Sequence, residues 1–382
     1  MDAHTATAVA PFASALRREW VLLLSVITTA LFLLFGKGWM AHLAQPLWFT
    51  LLLTWLFGVI LASAFAVVRH AESLAVLFGE PLGTLILTLS AITIEVMMIA
   101  AVMLTGDSKP ALARDTMFAV LMIILNGMVG LSLLLGGWRY REQAYNFYGA
   151  NAFLGVIVPL AVLGLVLPNY TTASPGPTLS PFQSVFLAVM CVGLYSIFVA
   201  SQTSRYREYF ITPGASREAA AEEVGHHHAP LERRSAPSHG VLLVLYLVPI
   251  ALLAKYLAVP LDYGVRVIGA PPALGGLLVA AVILSPESLS AVRAALANQM
   301  QRAVNILLGT ALSTIGLTIP AVLTLGLVTG KTVVLGLDVV EMLLLLTLAV
   351  STLTFTGTRT NFVQGAIHLL LFLAYLTLIF ER

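Results

Sequence analysis

The chain has 382 residues, of which 59% are hydrophobic and 10% charged, against roughly 25% charged residues in a soluble domain. With a mean hydropathy of +0.95 it lacks the polar surface to face water, which excludes an ordinary soluble globule. A net charge of +2, with basic residues spread along the connections, gives no footprint for nucleic acid, and the single Cys191 excludes a disulfide framework or a Cys-rich metal site.

Apolar segments separated by short polar or Gly/Pro breaks fall near 20–36, 46–68, 82–104, 116–136, 150–168, 182–200, 240–259, 270–292, 303–327, 332–355 and 363–380. Most approach the length needed to cross a bilayer as a helix. Backbone polar groups cannot be satisfied by lipid, and the alternation of a barrel strand is absent, so the expected fold is all-α. It is a polytopic membrane protein of eleven transmembrane helices. The first segment, after Arg17 and Arg18, has some likeness to a signal peptide, but as a retained helix it fits the charge pattern. The expected organisation is a tail and first helix (1–45), five helices (46–200), a polar His/Glu loop (201–239) and five more helices (240–382). With the N-terminus inside, thirteen of the twenty Lys and Arg fall on the inner side, so the positive-inside rule places the N-terminus in the cytoplasm.

The two halves carry a weak repeat. Leu82-Gly83-Thr84-Leu85 aligns with Leu274-Gly275-Gly276-Leu277 at an offset of 192 residues, and thirteen positions after each leading Leu stands an acid, Glu95 or Glu287. Thr93 and Ser285 sit two residues before these acids. Five helices per repeat is an odd number, so the copies must run in opposite directions through the membrane. Inverted repeats with a midplane site at their interface are a recurrent transporter design.

An ionised side chain at the bilayer centre costs about 2.5–3.5 kcal/mol on insertion scales. One such acid can serve as interhelical glue; two at matching repeat positions point to a site. Thr84, Thr88 and Glu95 share a helix face, with Ala91 between them. Pro286 precedes Glu287 and is expected to break the helix there, freeing carbonyl oxygens. Carboxylates, hydroxyls and carbonyls together are what a hard cation such as Ca²⁺ requires.

The run Ile283-Leu284-Ser285-Pro286-Glu287-Ser288-Leu289, continuing through Asn298-Gln299-Met300-Gln301-Arg302-Ala303-Val304-Asn305 and Gly309-Thr310, resembles the calcium/cation antiporter superfamily. So does Gly79-Glu80-Pro81-Leu82-Gly83-Thr84-Leu85-Ile86-Leu87 through Glu95, and the likeness extends to Thr356-Gly357-Thr358-Arg359-Thr360-Asn361. It is greatest to the bacterial cation/proton branch, which exchanges calcium, and also sodium and potassium, for protons. The resemblance implies that Glu95 and Glu287 bind cation and proton, and that Asn126, Asn305, Gly309 and Thr310 pack on those acids. It also implies a bacterial cytoplasmic (inner) membrane. Plant and fungal exchangers carry Gly-Asn-Ala-Thr before the first acid, whereas Ala91-Ile92-Thr93-Ile94 stands here. The missing Asn removes a candidate ligand.

The connecting loop holds Glu218, Glu222, Glu223, His226, His227, His228, Glu232 and His239. This is either a solvated linker, the favoured reading, or a cation-gathering segment. Glu72 and Glu80 are expected at the cytoplasmic mouth of the third helix, where they could attract cations. Glu341 and His368 have no repeat partners and read as structural.

The expected function is alternating access. Cytoplasmic Ca²⁺ and external protons compete for Glu95 and Glu287, with Na⁺(K⁺)/H⁺ exchange as the alternative. No resident cofactor is expected; the ligands are the transported cations and protons, and the surroundings a lipid bilayer. A sodium/calcium exchanger ranks third. An enzyme is disfavoured by the absence of H-E-x-x-H, G-x-S-x-G and phosphate-loop motifs, and a channel by the absence of a filter-like motif.

Overall fold

The computed structural model describes residues 19–79, 82–104, 110–213, 235–353, 357 and 359–380. Glu80, Glu218, Glu222, Glu223, His226, His227, His228, Glu232, Thr356, Thr358 and the side chain of Thr84 lie outside the described residues. Among the described residues, eleven apolar helices follow one another: α1 (Trp20–Met40), α2 (Pro46–Phe78), α3 (Leu82–Leu104), α4 (Leu112–Tyr140), α5 (Phe147–Asn169), α6 (Pro181–Thr203), α7 (Ala236–Val267), α8 (Ala273–Leu296), α9 (Met300–Thr329), α10 (Val339–Leu353) and α11 (Phe362–Phe380). Ten are long and apolar enough to cross a membrane; α10 is shorter. Large side chains such as Leu34, Phe182, Val189 and Leu370 stand exposed on the outer faces, as suits a surface whose solvent is lipid.

Local chemistry sets the helix ends. Pro occupies the first turn of α2 and α6, where its missing N–H is no loss. Ser180 and Gln183 form a reciprocal capping box at α6, and Asn361 and Gln364 do the same at α11. Gly79 (φ 64°) ends α2, and Gly330 (φ 68°) ends α9 in the left-handed region that glycine adopts without strain.

The expected span 332–355 is corrected: residues 332–338 are not helical. Neighbours satisfy their backbone instead. Val334 N–H donates to Pro110 O (2.8 Å) and Leu337 N–H to Leu165 O (2.7 Å). Asn169 Nδ2 donates to Leu337 O (2.6 Å) and Arg114 to Gly336 O (3.0 Å). Irregular backbone at membrane depth is tolerated only when buried in protein in this way. The expected break at Pro286 is likewise corrected, because α8 continues through it. The helix keeps its course while Val282 O loses its donor. His239, expected in the polar loop, lies inside α7 and is 2% exposed.

The helix directions follow from the contacts. Phe49 meets Tyr263 (ring centroids 5.5 Å) at one end of α2 and α7, and His70 meets His239 (3.0 Å) near the other, so this pair is antiparallel. α3 runs with α9, joined by Thr314 to Glu95 (2.9 Å) and by Lys331 Nζ to Met103 O (2.7 Å). α4 runs with α8, which presses Gly276 on the Asp115–Thr116 backbone at one end and meets Tyr140 through Leu296 O (2.9 Å) at the other. The tight turn Ala297–Gln299 makes α8 and α9 antiparallel, so α3 and α8 run oppositely. π-helical turns interrupt α4 at Met122–Met128 and α9 at Thr314–Thr318. Their starts are separated by the same 192 residues as the two acids, so the repeat is inverted in space as the sequence predicts.

Two apolar cores result. One holds α1, α2 and α7 against Ile94 and Met98 of α3 and Val279 and Ile283 of α8. The larger one joins α4–α6 to α9–α11. In the second, α4 and α11 cross at a glycine pair: a Cβ on Gly365 would stand 2.6 Å from Leu134 N and 2.9 Å from Gly130 O. Small residues allow such close crossings in membranes. Gly365→Val should therefore destabilise the protein by about 1–3 kcal/mol, the usual cost of overpacking, seen as a lowered Tm in detergent. Gly155→Ala, which meets nothing within 4 Å and replaces a helix-interior glycine, should leave Tm the same or slightly raised.

Candidate functional site

Each acid sits mid-helix, and Glu95 meets the π-turn helix α9 of the other half. Glu95 of α3 is 2% exposed. Its Oε2 accepts a hydrogen bond from Thr314 Oγ1 at 2.9 Å, and its Oε1 is buried with no hydrogen-bond partner. Thr318 lies near the same carboxylate and also has a buried, unpartnered hydroxyl. The π-turn widens α9 by one residue, so Thr314 and Thr318 both face α3; such turns recur at functional sites.

Glu287 of α8 lines a cavity of about 490 Å³. The walls include Glu72 of α2, Thr88 and Ala91 of α3, Tyr195 of α6, Ser290 of α8, and Asn305, Gly309 and Thr310 of α9. Glu287 Oε2 is buried without a partner, and Glu287 lies within electrostatic reach of both Glu95 and Glu72. The cavity opens among Gly79, Gln202, Arg207 and Arg302, at the end of the bundle that also carries Arg69, Arg139, Arg293 and Arg359. The opposite end is closed by a buried network. Arg114 donates to Asp115 (2.8 Å), and Glu341 N–H donates to Asp338 Oδ1 (2.9 Å) while Asp338 N–H donates to Glu341 Oε2 (3.2 Å). Glu341 thus caps the start of α10.

The structure brings Glu95, Glu287, Gly309 and Thr310 to the bundle centre and its cavity. Asn305 also lines the cavity but is nearer the mouth, where it donates to Phe210 O (2.7 Å) and accepts from Gln301 (2.9 Å). Thr93 and Ser285 are not drawn to the cavity; each hydroxyl bonds a carbonyl of its own helix, Leu89 O (2.6 Å) and Ala281 O (2.6 Å). Asn126 is fully buried in the π-turn of α4, but it pairs with His368 Nδ1 (2.9 Å) and Met122 Sδ (3.5 Å) and with neither acid. His368 is therefore tied to that turn. Thr314 and Thr318 were not singled out by sequence. The 192-residue offset could have found Thr318, since it maps onto Asn126.

An inverted helical bundle with paired central carboxylates, entered from one end, defines a secondary-transporter architecture. The family model described as sodium/calcium exchanger protein matches residues 48–204 and 238–381. The chain belongs to this family of membrane exchangers, which are secondary transporters and not enzymes. It is 42% identical to y4hA of Sinorhizobium fredii, whose name indicates an ionic transporter and specifies no ion, over 84% of this chain and 86% of that protein. It is 39% identical to the sodium-potassium/proton antiporter ChaA of Escherichia coli, again over 84% and 86%. The same fold occurs in the Ca²⁺/H⁺ antiporter protein YfkE, at a TM-score of 0.70 and 17% identity over 95% of this chain and 100% of that one.

If these carboxylates hold a cation, binding must stabilise the folded protein, by about 2.7 kcal/mol at a hundredfold excess over Kd. Ca²⁺, Na⁺ or K⁺ is expected to raise Tm in detergent. Glu287→Gln should abolish that rise while leaving the cation-free Tm within about 1 °C, a shift of about 1 kcal/mol or less. An undiminished rise in Glu287→Gln would exclude this carboxylate from the site.

Proposed function

We propose that the chain is a cation/proton antiporter that moves Ca²⁺ out of the cytoplasm in exchange for external protons. The observation that carries this reading is the pair Glu95 and Glu287, each with a buried oxygen that makes no close hydrogen bond among the described residues, the Thr318 hydroxyl standing near that of Glu95, and one of them reached by a cavity. A buried carboxylate requires charge compensation, which either a proton or a cation provides. Binding of one therefore excludes the other, and this competition couples the two fluxes. Two protons exchanged for one divalent ion leave the site with the same net charge in both states, so the cycle can be electroneutral.

In this reading the basic end faces the cytoplasm of a bacterial inner membrane, as the positive-inside rule favours, and the cavity opens inward. The five-helix halves, 46–200 and 240–382, act as the two repeats, and Thr88, Ser290, Gly309 and Thr310 supply oxygens along the path. A second reading, Na⁺(K⁺)/H⁺ exchange with little Ca²⁺ activity, is favoured by one residue: apolar Ile92 stands where the calcium exchangers of plants and fungi place Asn.

Everted vesicles or proteoliposomes with an acid interior test both readings. Addition of Ca²⁺ should collapse the pH gradient, and both Glu95→Gln and Glu287→Gln should reduce the initial rate by more than about tenfold, as loss of an interaction of about 1.4 kcal/mol or more would. Collapse by Na⁺ or K⁺ alone would favour the second reading. Normal rates in either variant would refute the carboxylate assignment.

A further inference from the structure

Outside the lining of the Glu287 cavity, a compact group of titratable side chains joins the start of α1 to α2 and α7. Glu19, just before α1, is 6% exposed, while His70 of α2 and His239 of α7 are 1% and 2% exposed. Glu19 Oε2 accepts from Arg69 at 2.8 Å and from Tyr246 Oη at 2.8 Å, and stands 3.5 Å from His70 Nε2. The other ring nitrogen of His70, Nδ1, faces Nδ1 of His239 at 3.0 Å. Among the described residues, the titratable and charged groups set against the imidazole pair include Glu19 just before α1, Arg69 from α2 and Tyr246 from α7.

The nitrogen-to-nitrogen contact limits the proton count. A hydrogen bond between two imidazole nitrogens needs one N–H and one lone pair. With both rings neutral, His239 can donate to His70 while His70 Nε2–H faces Glu19. With one excess proton, His70 becomes an imidazolium donating at both nitrogens, its charge balanced by Glu19. With two, both Nδ1 atoms carry hydrogen at 3.0 Å, the bond is lost, and two imidazolium charges stand beside each other and Arg69.

We propose that His70 and His239, backed by Glu19, form a proton-sensing latch separate from the transport carboxylates, which holds the ends of α2 and α7 together and releases when both imidazoles are charged. Glu19 does not set the pH of release. Burial pushes its carboxyl up, but hydrogen bonds from His70 and Tyr246 and the charges of Arg69 and His70 outweigh that and hold it at about 2. A carboxyl depressed in the folded state contributes stability that is lost only as pH falls through that value. Glu19 therefore stays anionic wherever histidines titrate, roughly pH 5 to 8.

The latch lies behind the cavity wall. Val68, Glu72, Ala75 and Val76 of α2, on either side of His70 in sequence, line the cavity. Release of the α2–α7 contact frees that wall, so acidification on the cavity side slows transport. For an exchanger that brings protons to that side, this is product feedback; the feedback rests on the antiporter reading, whereas the latch does not.

The test uses the full chain in proteoliposomes. Spin labels at Leu77 and Val241, both exposed, are introduced with Cys191→Ala, and the distance is measured at about pH 8 and about pH 5.5, across the histidine range. The distribution should shift to longer distances at acid pH. In His70→Gln/His239→Gln it should not shift, because an amide pair keeps a hydrogen bond and does not titrate. His239→Gln alone should behave like the double variant, since Gln can accept from an imidazolium. Exchange rates over the same range give a second readout. The wild-type rate should fall about tenfold further than the variant's, with proton competition at Glu95 and Glu287 common to both. An unchanged wild-type distance, or the same pH profile in wild type and variants, overturns the latch. Absence of any exchange alongside a pH-dependent distance would overturn the antiporter reading and leave the latch standing.

Discussion

The structure depends on one constraint: in lipid, every polar group must be satisfied from within the protein. Helices satisfy their own backbone, which is why nearly every described residue is helical. The exceptions show the constraint at work. The extended residues 332–338 lie where Pro110, Asn169, Leu165 and Arg114 supply their hydrogen bonds. Gln143 threads into the basic end to donate to Ala295 O at 2.8 Å. At the centre the same constraint gives Glu95 and Glu287 their meaning. A carboxylate left partly unpartnered there needs its charge compensated.

The inverted repeat places those acids together. A single helix could carry one carboxylate to the midplane but could not surround it. Two oppositely running copies bring α9 to α3 and α8 to α4, so each acid faces a helix of the other half. The π-turns lie at this crossing in both copies. The two halves differ in what those turns hold. Thr314 bonds Glu95, whereas Asn126, in the equivalent turn, is held by His368. One carboxylate is sealed by a hydroxyl and the other opens to a cavity, and this asymmetry is what a one-sided conformation of a symmetric scaffold requires.

Much was legible from sequence because the signals were local or periodic. Apolar runs marked the helices, and a shared offset marked Glu95 and Glu287. Errors came where satisfaction was non-local. The run 332–355 looked apolar enough to be helical throughout, since nothing in it announces that α4 and α5 would hydrogen-bond its first residues. Pro286 looked like a break because local rules penalise proline, yet α8 continues through it. Thr93 and Ser285, candidates by spacing, each donate a hydroxyl to the carbonyl four residues earlier, a local bond that spacing alone does not reveal.

The sequence by itself determined the membrane environment, the helix count, the antiparallel relation of the halves and the two central acids. These follow from hydropathy, parity and spacing, which need no partner. Tertiary structure alone decided which groups meet. It set Thr314 on Glu95, tied Asn126 to His368, opened the cavity to Glu287 from the basic end, and joined His70 to His239 across 169 residues. Contacts of that kind depend on the angles and rotations at which helices cross, and those are fixed by close packing of all the helices at once, not by any one of them.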